Sequence, residues 1–134
     1  ISKNKQDIYM NRLSAIRGAV TAENTKESIQ VQTVKLVKEI IEANKLKLED
    51  FVTIQFTLTK DLDELNPATA LRLGKSELPY DLSGVPLFCS QEAYIKGGLE
   101  KVIRVLITGY FGETKDLKYI YLDGAKVLRP DIAK

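Results

Sequence analysis

The chain has 134 residues, enough for one domain with a hydrophobic core, and its 44% hydrophobic and 28% charged residues are typical of a globular protein. The formal net charge of +2, without basic residues interleaved with aromatic ones, argues against a nucleic-acid-binding protein. No apolar run approaches about 18 residues, so the sequence predicts no membrane span.

Histidine is absent, and cysteine occurs once, as Cys89. The lack of histidine excludes His-based catalytic triads, the common zinc sites and the usual general base near neutral pH. A single cysteine allows no internal disulfide and suits a reducing compartment, so we expect a cytoplasmic protein. Any chemistry therefore depends on Arg, Lys, Glu, Asp, Tyr, Ser, Thr or Cys89.

The first elements in chain order are a strand and a long helix. Residues 13–20 predict a short strand that ends at Gly18. A helix is predicted over 25–44, because its apolar residues recur at helical spacing. Asn24, followed three residues later by Glu27, is typical of an N-cap and a capping box.

A second strand and a short helix follow. Residues 50–58 alternate between apolar and polar side chains, which predicts a half-buried strand with Val52, Ile54, Phe56 and Leu58 on one face. Residues 66–75 predict a short helix with Asn66 as N-cap, Pro67 at the first helical position and Gly74 just past the end.

The last third of the chain predicts mainly strands. Residues 85–93 and 102–108 are strand-like, and 118–128 predict a β-hairpin around the turn pair Asp123-Gly124. Residues 129–134 predict a mobile tail. The order strand, long helix, strand, short helix and several strands predicts an α+β fold, a mixed sheet with helices on one face.

Arg104 is unusual because it lies in the middle of an apolar strand. Alternate residues of a strand share a face, so Arg104 projects with Val102 and Leu106, and the opposite face is also apolar. An unpaired buried charge costs several kcal/mol, so an anion is expected beside it. The residues alone leave two alternatives open: an ion pair with Glu92 or Glu100, or a site for a small carboxylate ligand.

Four segments resemble the AroH class of monofunctional chorismate mutases, in the same order along the chain. They are "AIRGA" (15–19), "CSQE" (89–92), "GGLEKVIRVLI" (97–107) and "YLDGAKVLRPD" (121–131), with the third the most specific. Residues 59–72 match more loosely. The resemblance implies one domain over 13–134, preceded by a flexible N-terminal extension over 1–12.

The resemblance also implies a fold, an assembly and a reaction. We expect a sheet of the chorismate mutase II or ferredoxin-like type, and a homotrimer with a barrel-like core and active sites between neighbouring chains. The reaction is the Claisen rearrangement of chorismate to prephenate, on the route to phenylalanine and tyrosine. It needs no cofactor and no metal.

Site residues follow from matching positions. Arg104 is expected to stabilise the ether oxygen of chorismate, Arg17 to bind a carboxylate, and Glu92 to accept a hydrogen bond from the ring hydroxyl and to orient Arg104. Further substrate-binding positions are Tyr121, Cys89, Arg72, Phe88, Ala68, Thr69, Asn66, Leu128 and Arg129, with Arg72 contributed by the adjacent chain.

Three positions depart from the family pattern. Asn66 and Thr69 stand where a Phe and a Lys are expected, and Phe88 replaces a smaller residue, which bears on substrate affinity more than on chemistry. Two alternative functions are a trimeric imine deaminase-like enzyme, which would also use an arginine to hold a carboxylate, and a carboxylate-binding homologue without turnover.

Overall fold

The computed structural model describes residues 12–132, and its elements alternate helices and strands before ending in strands. Their bounds are β1 (Ser14–Thr21), α1 (Lys26–Asn44), β2 (Phe51–Leu58), α2 (Pro67–Leu73), β3 (Leu87–Gln91), β4 (Val102–Gly109) and β5 (Ile120–Leu122). Short 3-10 segments lie at Leu48–Asp50, Lys75–Glu77, Thr114–Asp116 and Asp123–Leu128.

The strands form one five-stranded mixed sheet in the order β3-β2-β4-β1-β5. Central β4 pairs antiparallel with both β1 and β2, while the edge strands β5 and β3 pair parallel with β1 and β2. The predicted α+β class with a mixed sheet is confirmed. The ferredoxin-like type is not, because that fold has the element order βαββαβ and this chain has βαβαβββ.

Both helices cover the same face of the sheet, as predicted, and the main hydrophobic core lies between them. Ile16 and Val20 of β1 and Ile103 of β4 are fully buried there, packed with α1 and α2. Gly18 lies inside β1 rather than at its end, and the strand continues to Thr21. A Cβ at Gly18 would lie 2.9 Å from Cδ1 of Ile40 in α1, so glycine permits the close approach of helix and strand.

The other face of the sheet, called here the open face, carries no α-helix within residues 12–132, and only the 3-10 segment Asp123–Leu128 packs against one end of it. The strand registers place one side chain from every strand in a single row across it, namely Tyr121, Ala19, Arg104, Thr57 and Ser90. A small cluster of Ala19, Val102, Tyr121 and Ala125 covers one end of this face.

The N-terminus of α1 differs from the prediction in its capping residue. Thr25 is the N-cap, and its hydroxyl accepts a hydrogen bond from the backbone N–H of Ser28 at 3.1 Å. Asn24 instead accepts from the backbone N–H groups of Asp63 and Glu64, so its side chain ties a distant loop to the helix start. The prediction of Asn24 as the cap is therefore wrong by one residue.

The short helix and the strand before it are close to prediction. Asn66 caps α2 by accepting from the backbone N–H of Ala68 at 2.8 Å, and Gly74 follows the helix end. Ile54 and Phe56 of β2 are buried as expected. A register shift near the start of β2 leaves Val52 39% exposed, which the regular alternation did not predict.

The predicted hairpin around Asp123-Gly124 is wrong. Residues before the pair form β5, which pairs parallel with β1, and residues after it form the 3-10 segment Asp123–Leu128. Asp123 has a positive φ of 53°, so the pair does turn the chain, but the turn leads to a helical segment. Asp123 is anchored to α1 by bonds from Gln32 and Lys35.

No helix among residues 12–132 has the length and apolar character needed to cross a membrane. The predicted N-terminal extension falls almost wholly on residues 1–11, which lie outside the described residues. Residues 133–134 of the predicted tail lie outside them as well.

Candidate active site

Arg104 projects from the middle of β4 on the open face and is paired with Glu92, which follows β3. Its Nε atom lies 3.2 Å from Oε2 of Glu92, and the two side chains are 40% and 27% exposed. Nε is itself shielded from solvent, but its N–H is not aligned with the oxygen well enough for a regular hydrogen bond. The contact is an ion pair, made by one of the two carboxylates that the sequence offered.

The apolar strand predicts a buried Arg104, but in the single chain its side chain is 40% exposed. Val102 on the same face is buried, but Leu106 is only half-buried, because no helix covers the open face there. Within residues 12–132 Glu92 is the only carboxylate that forms an ion pair with Arg104, and its closest contact is with Nε. The terminal nitrogens donate no hydrogen bond to a carboxylate there, so they can bind an anionic ligand.

A cavity of about 260 Å³ lies beside this ion pair. Arg104 and Glu92 line it together with the segment just after β2, which contributes Asp61, and the loop before β4, which contributes Tyr94, Ile95, Leu99 and Glu100. Lys60 also lines it, with its ammonium 4.3 Å from the centroid of the Tyr94 ring. The site thus combines two cations with three carboxylates and apolar walls, and an anionic group of a small ligand would bind at Arg104.

Arg17 and Tyr121 share the open face with Arg104. Arg17 opposes Leu106 across the β1–β4 pair, is exposed, and has its guanidinium carbon 5.5 Å from the centroid of the Tyr119 ring. Tyr121 is buried beside Ala19, the residue that directly opposes Arg104. The structure therefore brings these two predicted residues to the face of the sheet that carries Arg104.

Cys89 and Phe88 project to opposite faces because they are neighbours in β3. Phe88 opposes Gln55 on the open face and is 66% exposed. Cys89 opposes Phe56 and packs against the core on the helix-covered face, where burial raises the pKa of its thiol. Within one chain, Cys89 is not brought to the cavity beside Arg104.

The predicted site residues of α2 lie on the helix-covered side of the sheet. Ala68 is buried in the main core, Thr69 is half-buried, and Arg72 is exposed near the end of the helix. Asn66 has a structural function as the helix cap. None of these four joins Arg104 within one chain, so any contribution to its site would come from a neighbouring chain.

Leu128 and Arg129 follow the 3-10 segment after β5. Leu128 packs against the small cluster that contains Tyr121. Arg129 binds both oxygens of Asp131, at 3.1 and 3.0 Å, and these hydrogen bonds raise the pKa of Arg129 and lower that of Asp131. Arg129 is thus already paired with a carboxylate.

Other clefts of the described chain lack the residues that the site needs. Clefts of about 460 Å³ at the C-terminal end of α1 and about 610 Å³ along its exposed side contain none of Arg104, Glu92, Arg17 or Tyr121. Within residues 12–132, no group of three or more acidic or cysteine side chains could hold a metal ion.

Three residues at the site were not singled out from the sequence: Thr57, Lys60 and Tyr94. The alternation of β2 does place Thr57 on a polar face. Its proximity to Glu92 and Arg104 depends on how β2 pairs with β3 and β4, and a single strand pattern does not contain that register.

Known proteins match the chain over nearly its whole length. A family model described as "Chorismate mutase type I" matches residues 13–132, which also corrects the expected type II label. The chorismate mutase AroH of Bacillus subtilis (strain 168) is 40% identical over 126 residues, covering 90% of this chain and 93% of that protein. The AroH protein of Thermus thermophilus is 36% identical over 120 residues, covering 87% and 93%.

A solved structure described as a chorismate mutase from Clostridium thermocellum shares the fold, with a TM-score of 0.76 and 43% sequence identity. The match covers 85% of this chain and 98% of that one. Sequence and fold thus agree over the segment that contains Arg17, Glu92, Arg104 and Tyr121. The chain belongs to the type I chorismate mutase family and is an enzyme of that class, an isomerase.

Proposed function

We propose that this chain converts chorismate to prephenate at the cavity beside Arg104 and Glu92, mainly by electrostatic stabilisation of the transition state. The observation that supports the mechanism is the position of Arg104: its closest contact with Glu92 is through Nε, and no other carboxylate within residues 12–132 forms an ion pair with it. A guanidinium fixed in this way can bind a developing anion without first reorganising.

The rearrangement takes place within one molecule. The ether C–O bond of chorismate breaks while a new C–C bond forms, and no proton is transferred and no covalent enzyme intermediate arises. Negative charge develops on the ether oxygen in the transition state. A terminal nitrogen of Arg104 donates a hydrogen bond to that oxygen, and the bond strengthens as the charge grows, which lowers the barrier.

Glu92 has two functions in this mechanism. Its carboxylate accepts a hydrogen bond from the ring hydroxyl of the substrate, and it holds the Nε side of Arg104. Its partial burial favours both, because an ion pair shielded from water keeps its geometry better than an exposed one. Glu92 takes part in binding and orientation and transfers no proton.

Arg17 and Tyr121 bind the carboxylates of the substrate. Arg17 is exposed on the open face with its guanidinium available, and bidentate binding of a carboxylate would hold chorismate in its compact, reactive conformer. Tyr121 would donate a hydrogen bond to a carboxylate. Phe88, Leu128 and Arg129 would border the same region of the open face.

The site is completed in our proposal by a second chain of a homotrimer. Asn66, Thr69 and Arg72 are at least partly exposed at α2 and would line the cleft of a neighbour, while Ala68 and Cys89 pack in the core of their own chain. The open face supports this assembly, because it carries the half-buried side chain of Leu106 next to the row that contains Arg104. The expected setting is phenylalanine and tyrosine synthesis in the cytoplasm.

The test is a continuous assay of chorismate absorbance on the purified protein, with prephenate identified as the product. We expect turnover without added metal or cofactor, in the presence of a chelator. Tight binding of prephenate in a calorimeter with no conversion of chorismate would instead identify a carboxylate-binding homologue. Hydrolysis of an amino-acid-derived imine, without loss of chorismate, would identify the deaminase alternative.

A further inference from the structure

We propose that Thr57 is a positioning residue of this active site, acting through Glu92 on Arg104. The hydroxyl of Thr57 donates a hydrogen bond to Oε1 of Glu92, and the other oxygen, Oε2, is the one paired with Nε of Arg104 at 3.2 Å. The two oxygens of the carboxylate are therefore divided between a hydroxyl donor on one side and the arginine on the other. The inference rests on the proposed function, because it assigns Arg104 the catalytic contact.

The sheet holds Thr57 in the right place for this bond. Thr57 of β2 directly opposes Arg104 of β4, and both side chains project on the open face. The next residue of β2, Leu58, accepts a hydrogen bond from the backbone N–H of Glu92 at 2.8 Å. Leu58 thus fixes the backbone of Glu92, and its neighbour Thr57 fixes the carboxylate.

The hydroxyl is needed because the ion pair alone leaves Glu92 underdetermined. The Nε–H of Arg104 is poorly aligned with Oε2, although the Nε atom is shielded from solvent. A carboxylate held by one poorly aligned contact can rotate about its terminal bond, and the guanidinium can follow it. A directional bond from Thr57 restricts that rotation and keeps the terminal nitrogens of Arg104 aimed at the cavity.

Threonine is also a common strand residue, so a purely structural function must be separated from a positioning one. The two differ in which kinetic parameter changes. Loss of orientation weakens a contact that is strongest in the transition state, so kcat falls while KM changes little. Loss of packing alone would lower the melting temperature and leave the kcat of the folded enzyme unchanged.

The experiment compares Thr57→Val, which removes the hydroxyl and keeps the shape, with Thr57→Ser, which keeps the hydroxyl. A matched control is Thr53→Val, on the same strand and face but opposite Thr108 rather than Arg104. We expect Thr57→Val to lower kcat about tenfold, as for loss of one hydrogen bond to a charged group. The kcat of Thr57→Ser should stay within about twofold of that of the unsubstituted enzyme, and the kcat of Thr53→Val should be unchanged.

A second readout does not require turnover. The Nε–H signal of Arg104 can be observed by NMR with arginine-selective labelling and assigned by its absence from Arg104→Lys. We expect its exchange with solvent to be faster in Thr57→Val than in the unsubstituted protein or in Thr57→Ser. If the purified protein had no mutase activity, the proposed function would be wrong. The exchange rates of the Arg104 Nε–H would still decide whether Thr57 positions Arg104.

Three results would overturn the inference. The first is an unchanged kcat and exchange rate in Thr57→Val. The second is an equal loss of kcat in Thr57→Val and Thr57→Ser, which would attribute the effect to the methyl group. The third is a loss of kcat in Thr53→Val as large as in Thr57→Val, which would indicate a general effect on the strand.

Discussion

Arg104 and Glu92 form an ion pair whose value to folding is small. The side chains are 40% and 27% exposed, and pairs of this kind contribute at most about 1 kcal/mol to stability. The pair changes the free energy of unfolding little, but it orients the guanidinium of Arg104 beside the cavity. At the scale of one residue, its benefit is therefore expected in catalysis rather than in stability.

Substitution of Arg104 tests this directly. Arg104→Ala should remove about 3 kcal/mol or more of transition-state stabilisation, a loss of at least about a hundredfold in kcat, by analogy with the loss of an oxyanion-hole donor. Arg104→Lys should also be poor, because an ammonium cannot pair with Glu92 and a substrate oxygen through one rigid planar group. Steady-state kinetics on chorismate measures both variants.

Arg12→Ala is the control for charge, since Arg12 is 59% exposed and pairs with Glu113 away from the cavity. We expect it to retain kcat, and circular dichroism should show all three variants folded. A kcat of Arg104→Ala near that of the unsubstituted enzyme would refute the function assigned to Arg104.

Tyr80 gives a prediction about pH at the same scale. Its hydroxyl donates a hydrogen bond to the backbone oxygen of Leu46 at 2.8 Å. Burial, with smaller effects of Glu49 and Asp50, raises the pKa of Tyr80 to about 12 from its ordinary value of 10.0. In the unfolded chain Tyr80 ionises near pH 10, so the contribution of Tyr80 to stability is complete below about pH 10 and is lost as the pH rises toward 12.

Tyr80→Phe isolates this effect, because it removes the titrating hydroxyl and keeps the ring against Phe51. At pH 8 the variant should be less stable by about 1 kcal/mol, the cost of one hydrogen bond. The difference in free energy of unfolding between the two proteins should shrink as the pH rises from about 10 toward 12, as measured by urea denaturation. A difference that stays constant or widens over this range would contradict the raised pKa.

The elements that could be predicted from sequence are those whose pattern is local. Helix α1 is predicted by the spacing of its apolar residues, and α2 by Asn66, Pro67 and Gly74. Both signals are local, because an amphipathic face and a helix cap depend on residues close together in the sequence. The hairpin predicted around Asp123-Gly124 is wrong, since the residue following β5 enters a 3-10 segment that packs on the sheet. That outcome is decided by tertiary packing of Ala125 rather than by the pair itself.

The candidate site residues follow from the family resemblance. The contacts between their side chains could not be predicted from the sequence. The isolated pattern around Arg104 left a protein carboxylate and a ligand as equal alternatives, and the structure has both a carboxylate and a cavity beside it. The contact of Thr57 with Glu92 could not be predicted from the sequence, because it depends on the registers of two strand pairs. The register of each strand pair is fixed by the whole sheet, so the sequence of a single segment does not predict it.

Gly18 offers a test at the scale of the packed elements. A Cβ there would lie 2.8 Å from the backbone oxygen of Ile120 and 2.9 Å from Ile40, so β5 and α1 would both have to move. Gly18→Ala should destabilise the protein by about 1–3 kcal/mol, as is typical of overpacking. Gly84→Ala is the matched control, since a Cβ there meets nothing within 4 Å, and it should be neutral or slightly stabilising.

Chemical denaturation of both variants gives the comparison. Equal stability of Gly18→Ala and Gly84→Ala would mean that α1 and β5 can shift away from β1 without cost. The close packing of helix on strand, described above, would then not depend on glycine.

At the scale of the whole molecule, the two faces of the sheet differ in how they are covered. Both helices pack on one face, and the open face keeps Leu106 half-buried at its centre, between Arg17 and Gln55 in the cross-strand row. A five-stranded sheet with one uncovered, partly apolar face is expected to bury it against another chain. The row of side chains that contains Arg104 lies on that same face, so the proposed assembly and catalysis should fail together.

Leu106→Glu tests this link, because it places a carboxylate at the centre of the open face, where a single chain leaves it partly solvated. In the unsubstituted protein we expect a mass of about three times 15.0 kDa by light scattering after size exclusion. Leu106→Glu should shift the mass toward that of one chain and abolish mutase activity, because burying an unpaired charge in an interface costs several kcal/mol. Val31→Glu, at a site 55% exposed on α1, adds the same charge to the helix-covered side and should remain trimeric and active. A monomeric Leu106→Glu that keeps full activity would show that one chain carries the whole site, and the proposed contribution of α2 from a neighbour would be wrong.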